Sequence, residues 1–225
     1  MESMSTTLTI EVMFDLICPW CLIGKRHLDA ALSLFAASHP AVAVDMRWRP
    51  FILLPDTPDT GLPYQTFYRQ RLGSPEAVAR RRAQVQQAGD RVGLSFNFDA
   101  ISVLPNTLAA HRLVHYLGRQ CGPKSQQALI EELYDGYFMQ GKNIGDVAYL
   151  TRLAARFGLP PAAAADYLQS PAEHDSGAFL QQSRQAAQVY GIGGVPGFAF
   201  NQRFPLSGAV PADVLLSAMR QAVNG

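Results

Sequence analysis

Two of the three cysteines, Cys18 and Cys21, stand two residues apart with Pro19 and Trp20 between them. Two thiols at that spacing can close a disulfide reversibly, one attacking and the other resolving. Leu8–Phe14 reads as a strand rich in Thr, Ile and Val, and a helical pattern runs from the pair to about Phe35. Cys18 therefore arrives at a helix start. Unpaired N–H groups and the positive end of the helix dipole stabilise a thiolate there. Such cysteines have pKa values lowered to ~3.5–7.5 from ~8.5. Pro19 suits a first helical turn because it has no N–H to leave unpaired.

On a helical wheel, Leu28, Leu32 and Phe35 fall within about 40° of Cys21, and Cys18 lies roughly 60° beyond it. The wheel makes Cys21 the buried, resolving thiol and Cys18 the exposed nucleophile. Two plainer readings compete: two small core residues that happen to be close, or half of a zinc site. The second lacks a further C-x-x-C, and no histidine stands near the pair in sequence, so no metal is expected.

Other residues could serve the pair. Asp15 precedes Cys18 by three positions. It can relay a proton to Cys21 or fix the turn by local hydrogen bonds, and the turn role is preferred. Trp20 offers a flat apolar surface to a substrate or packs inward. His111 and His115 are four apart on one helix face but have no third ligand at a suitable spacing. Arg80, Arg81 and Arg82, with Arg69, Arg71 and Arg91 nearby, form the densest positive region, read as a solvated helix face. Cys121 reads as a half-buried helix residue before Gly122-Pro123.

The elements that must position the pair follow in a clear order. A second strand over Val42–Trp48 completes a β-α-β unit, the start of a parallel sheet. Pro50–Pro63 is loop. From Pro63 to Tyr190 the pattern is helical, with a cap and proline at Ser74-Pro75, a stop at Gly122-Pro123, a cap at Asp146, an end at Gly158 and Pro160, and a capping box at Ser170-Pro171-Ala172-Glu173. Gly197–Phe200 and Arg203–Leu206 are short strands around Asn201-Gln202, and Pro211–Val223 is a last helix. This gives residues 1–62 plus 191–225 as one split α/β domain and 63–190 as a helical insertion.

Composition narrows the class. With 19 basic and 18 acidic residues the net charge is +1, which excludes a strongly cationic nucleic-acid binder. Hydrophobic content of 48% supports a real core, and no apolar run approaches the ~18 residues of a membrane span. The first residues carry an acid and no apolar stretch, so a cytoplasmic chain is expected, in a compartment where a cysteine pair is more often catalytic than structural.

Cys18-Pro19-Trp20-Cys21 followed by Leu22-Ile23-Gly24-Lys25 resembles the active site of DsbA-like thiol:disulfide oxidoreductases of the FrnE type. So do Trp48-Arg49-Pro50-Phe51, Asn106-Thr107 with Ala110-His111, and Gly194-Val195-Pro196, so that the resemblance runs from about Ile10 to Val223. It implies a thioredoxin-like fold split by a large all-helical insertion, with Pro196 a cis-proline facing the cysteines and Val195 beside it. It implies a substrate pocket lined by Asn106 and His111, for which a capping asparagine and the polar flank of an amphipathic helix are equal alternatives, and Phe14, Asp15, Phe51 and Gly197 complete the candidate substrate-contacting set. Gly197 departs from relatives that commonly carry a bulky apolar residue, and a wider groove is expected from it.

The leading expectation is dithiol-disulfide exchange or isomerisation on protein or small-molecule thiols and disulfides. No tightly bound cofactor is expected, glutathione is a candidate co-substrate, and a homodimer is admitted. The alternative is a glutathione-dependent isomerase or transferase of the hydroxychromene-carboxylate isomerase or kappa type. Those relatives typically have Ser where Cys18 stands and do not need Cys21. A redox-sensing binding protein is a third reading.

Overall fold

The structure, a computed structural model, describes residues 7–170 and 176–224. The capping box at 170–173 extends outside them. The chain forms two compact units, Met1–Phe51 with Leu180–Gly225, and Ile52–Phe179. These divisions fall about eleven residues before the sequence-based ones at 62/63 and 190/191. The end of the helix preceding Tyr190 belongs with the sheet, because Ala187 packs on Met13.

The first unit is built on β1 (Thr7–Phe14), α1 (Pro19–Ser38) and β2 (Ala43–Pro50), closed by β5 (Gly197–Phe200), β6 (Phe204–Ser207) and α8 (Ala212–Asn224). The sheet order is β2-β1-β5-β6, with β1 and β2 parallel and the other pairs antiparallel. β1 is buried along almost its whole length, alternating polar and apolar residues from Thr7 to Glu11 and closing on the apolar run Val12-Met13-Phe14, buried on both faces. Its Ile10 and Val12 sit in register with Phe200 and Phe198. With Phe14 and Phe35 these phenylalanines are fully buried, each contributing about 1.5–3 kcal/mol. On the other face Met13, Ala187 and Ile192 form a small cluster with Phe51, Tyr190 and Val195 against it. Glu11 interrupts that face; it is buried and held by Arg49, whose Nη2 and Nε lie 2.6 and 3.2 Å from its Oε1.

The second unit is mainly helical: α2 (Tyr64–Leu72), α3 (Pro75–Asp90), α4 (Leu108–Phe138), α5 (Val147–Ala155) and α6 (Pro161–Gln169), with the start of α7 (Ser176–Val189). Ser74 caps α3 by accepting from the Ala77 N–H, and Asp146 caps α5 through Ala148. Gly122, at φ 82°, kinks α4 where the sequence suggested a stop and a new start. The sequence reading missed a two-stranded ribbon, β3 (Leu62–Pro63) and β4 (Val103–Leu104). Elements of two residues carry no period to detect.

The β5–β6 turn is pinned through Asn201. Its Oδ1 accepts the Thr9 N–H, its Nδ2 donates to the Ala222 carbonyl, both at 2.8 Å, and its φ is +47°. Asn201→Ala removes both bonds and leaves a β-carbon in the left-handed region. The expected loss is about 2–3 kcal/mol in urea unfolding; a loss within experimental error of zero would show that the turn does not depend on this side chain.

Candidate active site

The chain leaves β1 at Phe14, turns through Asp15-Leu16-Ile17 and enters α1 at Pro19. The Cys18 N–H donates to the Asp15 carbonyl at 3.1 Å, and the Cys18 carbonyl accepts the Cys21 N–H at 3.0 Å. Cys18 is thus the residue that caps α1, in extended conformation, with no carboxylate in the first helical turn. Both cysteines are free thiols, and the Cys21 sulfur is hydrogen-bonded to Cys18.

The expected exposure of Cys18 is corrected: it is 5% exposed and Cys21 3%. The wheel extrapolated a helix one residue too far. As an extended cap residue, Cys18 turns its sulfur to within 3.8 Å of the Val195 carbonyl oxygen, to which the thiol donates. The Val195-Pro196 peptide is cis. Burial, then the hydrogen bond and charge of Cys18, push the Cys21 thiol well above its ordinary value. The Asp15 charge adds to this, while a hydrogen bond from the Asp15 main chain opposes it. Cys21 therefore holds its proton at neutral pH.

Asp15 is fully buried, and both roles raised for it have physical support: its main chain ties the turn, and its charge is felt at Cys21. Trp20 and Pro19 are half-buried, and Pro196 is buried. Phe14 is buried with its ring edge-on to Trp48 at 5.1 Å, and Phe51 packs on the Met13 cluster. These belong to the first unit. Asn106 and His111 belong to the second. Asn106 ties two loops of that unit together, donating to the Thr57 carbonyl at 2.7 Å and accepting the Leu108 N–H, and His111 is buried.

Gly197 does not widen a groove. A β-carbon there would lie 2.4 Å from Ile192 Cγ2, so Ile192 already fills the space that a side chain at 197 would take. A residue five positions earlier substitutes for it, which pairwise motif comparison does not reveal. The Arg-rich region is partly structural: Arg82 binds Asp99 and Gln65 and lies over the Tyr64 and Phe98 rings. Cys121 is half-buried beside the α4 kink. Among the described residues no group of three or more His, Cys, Asp or Glu gathers as metal ligands, and no helix is long and apolar enough to cross a membrane.

Two positioning features escaped the sequence reading. Gly24 lets α1 touch the proline loop: a β-carbon there would sit 2.8 Å from Pro196 Cγ and 3.3 Å from Phe198 Cζ. Its signals were a glycine inside a helical pattern and its place in the Leu22-Ile23-Gly24-Lys25 match, neither of which says what it touches. Tyr190, ahead of that loop, is hydrogen-bonded to Glu11, and burial together with that carboxylate pushes its phenol up to about 12. The signal there was an acid in the middle of an apolar strand.

A dithiol at the start of a helix, facing a proline loop on a four-stranded sheet, defines a thioredoxin-type redox site. Residues 9–220 match the family described as DSBA-like thioredoxin domain, and the chain belongs to that family. The crystal structure of SCO1869 from Streptomyces coelicolor, described as a probable DsbA oxidoreductase, superposes with a TM-score of 0.83 at 27% identity, covering 96% of this chain and 89% of that one. The cytosolic disulfide reductase DsbM from Pseudomonas aeruginosa shares the fold at 18% identity, TM-score 0.65, with 96% of each chain covered. A 2-hydroxychromene-2-carboxylate isomerase shares it at 14% identity, TM-score 0.63, with 95% of each covered. The uncharacterised Bacillus subtilis protein YwbO is 25% identical over 213 residues, 95% of this chain and 96% of its own.

Because the Gly24 contact sets the distance between α1 and Pro196, Gly24→Ala must displace one from the other. The expected cost is about 1–3 kcal/mol of stability, with slower disulfide exchange. Wild-type stability and wild-type exchange together would show that the contact is not needed.

Proposed function

We propose that the protein is a thiol:disulfide oxidoreductase of the FrnE type in which Cys18 is the nucleophile and Cys21 the resolving thiol. The observation that carries this is the asymmetry of the pair: Cys18 caps α1, while Cys21 is held protonated within the helix. The Cys18 thiolate attacks one sulfur of a substrate disulfide; that S–S bond breaks, a mixed disulfide forms, and the expelled thiolate takes up a proton. Cys21 then gives its proton to Asp15 and attacks the Cys18 sulfur. The second substrate thiol leaves and Cys18–Cys21 is oxidised. Run in reverse, the same steps oxidise a dithiol. Val195 and Pro196 offer main chain on which a substrate strand can lie.

Phe14 and Phe51 are the apolar neighbours on the same unit, with Trp20 as a flat surface. The substrates are protein or small-molecule thiols and disulfides, glutathione is a co-substrate, and the cytoplasm is the proposed compartment, as for the neighbour named a cytosolic disulfide reductase. The glutathione-dependent isomerase reading has no use for Cys21, and the intact pair weighs against it.

Cys18→Ser is expected to abolish exchange with a dithiol peptide; exchange at the wild-type rate would overturn the assignment. Asp15→Asn should leave the attack intact and slow resolution about tenfold or more at neutral pH. Because the Cys21 value is raised, its thiolate is scarce below that value and grows with pH, so the deficit shrinks as pH rises. A pH-independent effect of Asp15→Asn would leave Asp15 only its turn role.

A further inference from the structure

The sheet of the first unit ends at β2, and no other described strand pairs with its outer side. The Phe51 N–H donates to the Phe14 carbonyl, so main-chain groups of the odd-numbered residues along β2 face β1. Those of Val44, Met46 and Trp48 therefore face outward, and Pro50, with no N–H to offer, falls on the same parity. An open row of donors and acceptors is a template for another strand.

The side chains indicate which strand. Asp45 and Arg47 flank Met46, are partly exposed, and pair with each other at 2.8 Å. If a second copy of β2 runs antiparallel with Met46 opposite Met46, then Val44 faces Trp48 of the partner subunit, and these outward-facing residues form the hydrogen-bonded pairs. Asp45 then faces Arg47 of the partner subunit in a non-hydrogen-bonded pair, where side chains approach most closely, and the symmetric contact repeats it. Val44, 38% exposed, would be covered on the α1 side of the sheet.

We propose that two copies of this chain associate through β2, joining their sheets into one of eight strands about a twofold axis at Met46. The strand is self-complementary in hydrogen-bond parity, charge and direction, which an arbitrary partner would have to match independently. The interaction does not involve the cysteines and stands apart from the proposed chemistry.

Sedimentation velocity tests it. The wild type is expected at twice the chain mass. Asp45→Arg and Arg47→Asp each place like charges opposite one another and should sediment as monomers. An equal mixture of the two variants restores opposite charges at both contacts and should recover a dimer, as should the double variant alone. Recovery in the mixture also shows that the single variants are folded. A monomeric wild type, meaning that the charges blunt the edge instead, overturns the proposal; so do single variants that remain dimeric, or a mixture that stays monomeric.

Discussion

The redox site depends on how closely α1 lies against the loop that ends at Pro196. At Gly24 the helix leaves no room for even a β-carbon between itself and the proline ring. That contact, two turns into the helix, sets where the helix start falls, and with it the 3.8 Å approach of the Cys18 sulfur to the Val195 carbonyl. The loop is held from its other side by Ile192, which occupies the notch over Gly197, and by Tyr190 on Glu11. Two glycines on opposite sides of the loop thus serve opposite ends: one admits a helix, the other admits a neighbouring side chain.

Electrostatics then separates two chemically identical thiols. Cys21 sits inside the helix, buried and close to both Cys18 and Asp15, so its charged form is disfavoured. Cys18 sits at the end of α1 to which the main-chain dipoles point. On the proposed chemistry, such a pair attacks through Cys18 and releases through Cys21. Both thiols are buried, and the Cys18 sulfur lies against the Val195 carbonyl.

The strand–turn–helix around Cys18 was legible in the sequence because each signal agreed: a β-branched strand, a proline at the first helical position and an apolar stripe through Leu28 and Phe35. The order β-α-β, helices, β-β-α was legible for the same reason, and the fold confirms the split α/β class. What stayed hidden came from contacts distant in sequence. A wheel places Cys18 by its number, whereas its burial follows from an extended cap conformation and a residue 177 positions away. The space at Gly197 was invisible because Ile192 fills it from the preceding loop. The β3–β4 ribbon was too short to leave a pattern, and Arg82 looked like surface charge until its ring and amide partners were seen.

The most direct measurement is the trapping of the mixed disulfide. Cys21→Ala, reacted with a disulfide substrate and digested without reductant, should yield a stable adduct whose peptide mass maps the link to Cys18 alone. An adduct through Cys121, or none at all from a folded variant, would contradict the division of labour between the two thiols.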